Sequence, residues 1–244
     1  MSVKLSIIIP ALNEEKLLPV LLEQLTEPAL KKKYDYEIIV SDGGSTDGTI
    51  EIAKQYTHKV VTVAPNEKQN ISQGRNAGAK IADGDVLVFL NCDTMIEKPF
   101  DFFDLIVNKF YPENYLAMTC AVKVFPADSK FIDLVFLTFY NYYFWFLNII
   151  GLGMGRGECH VVKKSVFNEL NGYDEKLIAG EDFELFKRIR RKGKILFANK
   201  ITVFESPRRY RKYGHFKILF TWLSNSISVI FTKRSLSKTW EQVR

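Results

Sequence analysis

The first 94 residues of the chain alternate between two hydrophobic patterns, and this alternation limits the fold more than any other feature. Apolar runs typical of buried strands occur in VKLSIIIP, YEIIVSD and VLVFL, and amphipathic helical stretches lie between them. Strands and helices that alternate at this spacing favour a doubly wound sheet. The sequence therefore predicts an α/β fold with a mostly parallel central sheet.

Polar side chains follow two of the predicted strands. Asp42 and Gly43 come directly after the second strand, and Asn91 and Asp93 come after the buried run Val86–Leu90. The carboxyl ends of parallel strands open into the crevice where such sheets bind ligands. A carboxylate there can accept a hydrogen bond from a nucleotide base, and a glycine lets the backbone approach a ligand closely. We therefore expect a binding site at this edge of the sheet.

Composition and the absence of common motifs exclude several classes of protein. Of the 244 residues, 47% are hydrophobic, which is enough for a sizeable core, and the formal net charge is +6 with the basic surplus late in the chain. A basic surplus suits phosphates, but no nucleic-acid reader motif occurs, so we expect no nucleic acid partner. Neither the dinucleotide fingerprint nor the Walker phosphate loop is present. Three cysteines without metal-ligand spacing favour a reducing compartment over a disulfide framework.

Four motifs together resemble the family 2 glycosyltransferases of the GT-A fold. They are SIIIPALNEE, VSDGGSTDGT, GRNAGAKIADGDVLVFLNCDT and NGYDEKLIAGEDFELFKRIRRKG, and they occur in the family's order over about the first 200 residues. The resemblance implies an inverting enzyme that moves a sugar from a nucleotide-diphosphate sugar to a glycan or lipid-linked acceptor. The Q-x-x-R-W signature of processive synthases is missing, which favours transfer of one sugar per encounter.

The family pattern also places residues around the donor nucleotide. Asp42 resembles the carboxylate that binds the base, and Arg75 resembles an arginine near the diphosphate. A guanidinium suits a diphosphate because it can hold the charge of the leaving group with two hydrogen bonds. The residues that the resemblance assigns to the nucleotide sugar are Pro10, Leu12, Glu14, Asp42, Gly43, Arg75, Asn76, Asn91 and Cys92.

The triplet Asn91-Cys92-Asp93 resembles the D-x-D motif of the family, whose last carboxylate binds the divalent ion. The resemblance therefore implies Mn²⁺ or Mg²⁺ at Asp93. These ions prefer oxygen ligands and retain several waters, so one carboxylate and the donor phosphates can suffice. Asn91 replaces the first aspartate of the motif, which lowers the negative charge of the site.

The pair Glu181-Asp182 matches the E-D motif of the family at the start of a helix. An inverting transfer needs a carboxylate that takes the proton of the attacking hydroxyl, and the resemblance gives this role to Asp182. Glu181 is expected to help orient the acceptor. The alternative interpretation is helix capping, since acidic residues favour first turns whatever the function.

The sequence predicts one catalytic domain and a short extension. Residues 1–212 form the predicted GT-A domain, with a nucleotide-binding half at 1–94 and an acceptor half at 95–212 that contains an aromatic helix at 131–153. Residues 213–244 are predicted to form an amphipathic helix and tail, in which His215 is a candidate for a late metal or phosphate contact.

The uncharged stretch from Leu134 to Gly155 is long enough to span a bilayer. A single crossing there would separate Asp42 and Asp93 from Asp182, so an interfacial helix is the favoured interpretation. Arg208, Arg209, Arg211 and Lys212 are expected to face anionic lipid, which predicts a peripheral protein on the cytoplasmic face of the cell membrane. Packing in the core or in a homodimer contact is the alternative.

Two other functions remain open from the sequence. A polyprenyl-phosphate sugar synthase would use a lipid phosphate as acceptor, and the aromatic helix and basic tail suit it. A non-catalytic sugar-nucleotide-binding protein recruited to membranes is the alternative from another class, supported by Asn91.

Overall fold

The computed structural model describes residues 3–64, 67–232 and 234–237. Its strands share one sheet and are β1 (Leu5–Ala11), β2 (Tyr36–Asp42), β3 (Lys59–Val61), β4 (Val86–Leu90), β5 (Thr94–Ile96), β6 (Tyr115–Val124), β7 (Cys159–Lys163) and β8 (Lys194–Glu205). The α-helices are α1 (Leu18–Leu25), α2 (Pro28–Lys33), α3 (Thr49–Tyr56), α4 (Ile71–Lys80), α5 (Pro99–Leu105), α6 (Phe131–Ile149), α7 (Lys164–Glu169), α8 (Glu181–Lys192), α9 (Arg208–Tyr213) and α10 (His215–Thr232).

The sheet order is β3-β2-β1-β4-β7-β6-β8-β5. The strands β1 to β4 pair in parallel, as the alternating pattern predicts, whereas β7 is antiparallel to both β4 and β6. Buried apolar side chains cover both faces of the sheet. The α/β class is therefore confirmed, and the sheet is mixed because the strands after β4 do not follow the doubly wound alternation.

Several elements differ from the pattern in the sequence. The stretch NEEKLLPVLLEQL predicts an amphipathic helix from Asn13, but α1 begins only at Leu18, since Asn13 has a φ of 55° and belongs to the turn after β1. The stretches KILFA and ITVFE predict two short strands, whereas the structure has one strand there, β8, with a register shift where it pairs with β6. The sequence did not indicate α2, β5 or α5.

The pairing of β5 with β8 positions the end of β8 beside the end of β4. These strands are antiparallel, with Thr94 opposite Glu205, and the Ser206 N–H donates to the Asp93 carbonyl at 3.1 Å. The chain that leaves β8 therefore passes directly over the strand-end residue Asp93.

The aromatic helix α6 and the C-terminal helix α10 pack together at one side of the sheet. The Asn141 amide of α6 bonds to both backbone groups of Val122 in β6, at 3.0 and 2.9 Å. The outer faces of α6 and α10 carry large exposed apolar residues, including Phe131 (81% exposed) and Phe216 (83% exposed). Within the described ranges, no helix combines the length and the apolarity needed to cross a membrane. Residue 233 and residues 238–244 of the predicted tail lie outside the described residues.

Candidate active site

A cleft of about 810 Å³ opens at the carboxyl ends of β1, β2 and β4, opposite the first turn of α8. Ten of the twelve residues predicted for the site line this cleft, and the two exceptions are Asp42 and Asn76. The ten are Pro10, Leu12, Glu14, Gly43, Arg75, Asn91, Cys92, Asp93, Glu181 and Asp182. The fold thus brings together motifs from residues 10 to 182.

Asp42 lies directly behind the cleft, and its own side chain stabilises the turn in which it lies. Its Oδ1 accepts hydrogen bonds from the backbone N–H groups of Gly44 and Ser45, both at 2.9 Å. Gly44 has a φ of 101°, and a Cβ there would collide with the Glu67 carbonyl, so this turn requires glycine. The Asp42 Oδ2 is buried and has no hydrogen-bond partner among the described residues. A buried carboxylate oxygen without a donor is costly, and an incoming N–H group would satisfy it.

Asn76 lies away from the cleft lining, although it is next to Arg75 in α4. Its amide donates to the Tyr173 carbonyl at 2.9 Å and to the Glu175 carboxylate at 3.0 Å, while its Oδ1 accepts from the Tyr173 N–H. In this structure Asn76 therefore fixes the loop before α8. Its predicted contact with the nucleotide stays a prediction.

Arg75 is buried and links the two sides of the site. One amino group donates to Glu181 Oε1 at 2.9 Å, and the other donates to Asn91 Oδ1 at 3.0 Å and to the Gly157 carbonyl at 2.6 Å. The guanidinium also lies 5.2 Å from the centre of the Tyr173 ring. The helix α4 that carries Arg75 begins with a capping box between Asn70 and Gln73. Arg75 thus connects the end of β4 to the start of α8.

Asp182 lies in the first turn of α8, which begins after Gly180 in the left-handed region at a φ of 80°. Burial raises the pKa of Asp182 to about 7, and the negative charge of Glu181 acts in the same direction. A carboxylate with such a pKa can take up a proton near neutral pH. The acidic first turn also suits the helix dipole, although the N-cap of α8 is Gly180, which has no side chain to cap the helix.

The strand-end triplet has three different environments. Asn91 bonds to Arg75, and the Cys92 thiol is buried and donates to the Pro10 carbonyl at 2.9 Å. Asp93 faces Arg208, whose Nη2 lies 3.2 Å from its Oδ2. Burial raises the pKa of Asp93, and the positive charge of Arg208 partly offsets this effect. The Cys92 hydrogen bond therefore connects the end of β4 to β1, while the Asp93 carboxylate contacts a charged side chain.

A buried ionic cluster that the sequence did not indicate lies beside Asp93. The Arg156 guanidinium donates to both carboxylate oxygens of Glu158, at 3.2 and 3.4 Å, and lies 3.7 Å from Glu205. Burial and the charge of Glu158 raise the pKa of Glu205 well above its usual range, and the Tyr210 hydroxyl donates to this carboxyl group at 2.6 Å. These residues come from two distant segments, so only the fold brings them together.

The sequence profile described as Glycosyl transferase family 2 matches residues 6–170 of the chain. The chain belongs to this family. The predicted family is therefore confirmed, and the class of protein is a glycosyltransferase.

Two glycosyltransferases are similar in sequence to parts of this chain. The poly(ribitol-phosphate) beta-glucosyltransferase of Bacillus spizizenii is 38% identical over 97 residues, which cover 38% of this chain and 15% of that protein. The probable glycosyltransferase YdaM of Bacillus subtilis is 27% identical over 205 residues, covering 78% of this chain and 47% of that protein. The chain thus spans less than half the length of both relatives.

The fold also matches a solved structure of a mannosyltransferase, PcManGT from Pyrobaculum calidifontis, in complex with GDP-Man and Mn²⁺. The TM-score is 0.68 at 19% identity, and the match covers 90% of this chain and 65% of the other. This likeness confirms the GT-A fold of the family 2 domain.

The residues around Asp93 can be compared with the needs of a divalent ion. Within the described ranges, no three His, Cys, Asp or Glu side chains form a group that could hold a metal ion. Asp93 nevertheless offers a carboxylate in the cleft, and hard divalent ions accept water and phosphate oxygens as further ligands. The single carboxylate of Asp93 therefore fits an ion whose further ligands are water and phosphate oxygens.

One wall of the cleft is apolar and comes from the C-terminal half of the chain. Phe144 of α6, Met154, Phe183 of α8 and Trp222 of α10 line it. The Arg156 guanidinium lies 5.4 Å from the centre of the Phe144 ring. An acceptor that enters on this side meets aromatic surface next to charged groups.

Two of the basic residues after β8 form ion pairs within the protein. Arg208 is in an ion pair with Glu14, and Arg211 is in an ion pair with the buried Asp133. His215 also bonds to Asp133, at 2.7 Å, and is not among the residues that line the cleft. Carboxylates therefore bind both arginines, and the predicted contact of Arg208 and Arg211 with anionic lipid stays a prediction. The RRYR run is the part of the sequence that marks these arginines.

Proposed function

We propose that the family 2 domain is an inverting, non-processive transferase that uses a nucleotide-diphosphate sugar and a divalent ion. The proposal rests mainly on one observation: Asp182, with its pKa raised to about 7, faces the same cleft as the strand-end carboxylate Asp93. A single displacement at a sugar carbon requires a proton acceptor on one side of the sugar and the diphosphate on the other. The two walls of the cleft provide these two sites. We assign residues 1–212 to the catalytic domain and residues 213–244 to an accessory helix and tail.

The donor nucleotide lies, in this proposal, over the ends of β1 and β2. The unpartnered Asp42 Oδ2 accepts an N–H of the base. Pro10, Leu12 and Gly43 provide close backbone approach around the ribose. Arg75 is enclosed by Glu181 and Asn91, which favours a role in holding the two walls together over direct contact with the nucleotide.

The diphosphate and its metal ion lie at the end of β4. Asp93 would hold Mn²⁺ or Mg²⁺, and the bound ion would neutralise charge that develops on the leaving diphosphate. PcManGT was solved with Mn²⁺ and GDP-Man, which supports a divalent ion for this fold.

Asp182 takes the proton of the acceptor hydroxyl as that oxygen attacks the sugar. Its pKa near 7 makes the carboxylate a better proton acceptor than an ordinary aspartate. Glu181, held by Arg75 at 2.9 Å, keeps the first turn of α8 in place and raises the pKa of its neighbour.

A lipid phosphate acceptor is the second candidate. The apolar wall of Phe144, Met154, Phe183 and Trp222 supports it, because an acyl or prenyl chain would bury apolar surface there. The exposed aromatic residues of α6 and α10 extend this surface outward, which supports peripheral contact with the cytoplasmic face of a membrane. A homodimer contact on the same helices is the competing interpretation.

A screen of nucleotide sugars against the full chain tests the proposal. We expect saturable binding of one donor, and slow hydrolysis that requires Mn²⁺ or Mg²⁺ and is lost on addition of EDTA. Binding without hydrolysis or transfer to any acceptor would favour a non-catalytic protein. Turnover that persists in EDTA would contradict the metal role of Asp93.

Flotation with liposomes tests the membrane contact. Phe216→Ser with Phe220→Ser removes two aromatic rings that are 83% and 73% exposed, and should markedly reduce recovery with vesicles. Val20→Ser, on the exposed side of α1, is the control and should float like the wild type. Equal flotation of all three proteins would contradict a membrane role for α10, and a dimer that dissociates in the double variant would favour the subunit contact.

A further inference from the structure

One arginine joins two carboxylates at the place where the divalent ion is expected. Arg208 donates to Glu14 with both amino groups, Nη1 at 3.0 Å and Nη2 at 2.5 Å, and the same Nη2 lies 3.2 Å from Asp93 Oδ2. Glu14 belongs to the segment after β1, and Asp93 follows β4. The guanidinium therefore connects the ends of the neighbouring strands β1 and β4.

The fold holds Arg208 in this position by backbone contacts. The antiparallel pairing of β5 with β8 and the Ser206 N–H bond to the Asp93 carbonyl place the chain after β8 over the strand end. Arg208 begins the short helix α9, which ends at Tyr213, and Gly214 follows with a φ of 78° and open space where a Cβ would lie. The segment that carries Arg208 is thus short, and backbone contacts hold it at its N-terminal end. Gly214 at its other end tolerates a change in backbone conformation.

Charge explains why an arginine occupies this place. Glu14 and Asp93 bring two carboxylates within reach of one guanidinium, and like charges this close repel each other. Arg208 neutralises this repulsion with hydrogen bonds. A divalent ion held by Asp93 would neutralise the same charge, so the ion and the guanidinium would compete for one carboxylate.

We propose that Arg208 competes with the divalent ion for Asp93 and moves to the diphosphate when ion and donor bind together. The inference rests on the metal role of Asp93 in the proposed function. It implies that the free protein binds the ion weakly. The ion and a nucleoside diphosphate should bind cooperatively, because the diphosphate gives the displaced guanidinium a new anionic partner.

Titration of the full-length chain with Mn²⁺ alone, followed by the loss of the free-ion paramagnetic resonance signal, tests the competition. Arg208→Gln removes the competing charge, and we expect Mn²⁺ to bind about tenfold more tightly than to the wild type. Arg211→Gln is the matched control, since Arg211 lies on the same helix and pairs with Asp133 outside the cleft. The control should bind Mn²⁺ like the wild type.

A second variant tests whether the tighter Mn²⁺ binding of Arg208→Gln depends on Asp93. Arg208→Gln combined with Asp93→Asn should lose the tighter binding. With UDP or GDP present, the wild type should gain affinity for Mn²⁺, and Arg208→Gln should gain less. Circular dichroism melting of each variant shows that it is folded, and Arg208→Lys, which keeps the charge, should lie between the wild type and Arg208→Gln.

The outcomes separate this inference from the proposed function. Equal Mn²⁺ affinity of the wild type and Arg208→Gln, lost in both on Asp93→Asn, would overturn the competition and leave the metal role intact. A gain of affinity in Arg208→Gln that survives Asp93→Asn would also overturn it. No Mn²⁺ binding by any variant, with or without nucleotide, would overturn both.

Discussion

The two walls of the cleft are built in different ways. On the nucleotide side, the Asp42 carboxylate bonds to residues two and three positions further along the chain. The opposite side carries Arg208 and Glu181, which reach the first wall from distant segments: Arg208 bonds to Asp93 across 115 positions, and Glu181 bonds to Arg75 across 106. One wall is therefore made of local turns at strand ends, and the other is held to it by ion pairs that exist only in the folded protein.

This difference implies that the walls should respond differently to mutation. A change in a local turn should alter ligand binding with little effect on the rest of the fold. A change in a buried long-range ion pair should affect stability and activity together, because an unpaired charge remains inside the protein.

The largest expected effect is on the ion pair that joins the walls. Arg75→Met leaves Glu181 buried without its partner and should lower the free energy of unfolding by about 3–5 kcal/mol. Urea denaturation measures this loss. In the double variant Arg75→Met with Glu181→Leu, part of the stability should return, because no buried charge is left unpaired. A loss below about 1 kcal/mol in the single variant would mean that Arg75 does not hold the walls together.

A smaller effect is expected on the local wall. Asp42→Asn keeps an oxygen that can accept from Gly44 and Ser45, but replaces the unpartnered Oδ2 with a donor. Nucleotide affinity should fall about 10- to 100-fold, since a hydrogen bond to a charged acceptor is lost. Isothermal calorimetry measures the affinity, and the melting temperature should hardly change. Unchanged affinity would remove Asp42 from the donor site.

The smallest effect concerns pH. The negative charge of Glu181 helps to raise the pKa of Asp182 to about 7, and Asp182 can act as a base only when it is deprotonated. Turnover should therefore increase as the pH rises through about 7. Glu181→Gln removes the neighbouring charge and should move this increase to lower pH. A pH profile that does not move, or moves upward, would mean that another group controls turnover.

The local wall could be predicted from the sequence because its contacts join residues that are close in the chain. The same short range is the reason why a change in this wall should have little effect on the rest of the fold. Asp42, Gly43 and Asp93 stand directly after apolar runs, so the strand pattern alone places them at the edge of the sheet. The resemblance to the family then adds Glu181 and Asp182, whose motif is contiguous. Short-range patterns carry this information.

The long-range wall could not be predicted in the same way. Arg156 and Glu205 pair because β7 enters the sheet antiparallel and β8 returns beside β5, and nothing in the local pattern indicates that register. Arg208 and Arg211 belong to a basic run for which the sequence predicts contact with anionic lipid. Only the fold shows that each has a carboxylate partner.

The central claim is that Asp182 is the base of the transfer, and Asp182→Asn tests it most directly. This variant keeps the shape of the side chain and removes the proton acceptor. With the donor identified, turnover should fall by about 10²- to 10⁴-fold while the dissociation constant of the donor stays the same. An unchanged rate, or a loss of donor affinity that matches the loss of rate, would contradict the claim.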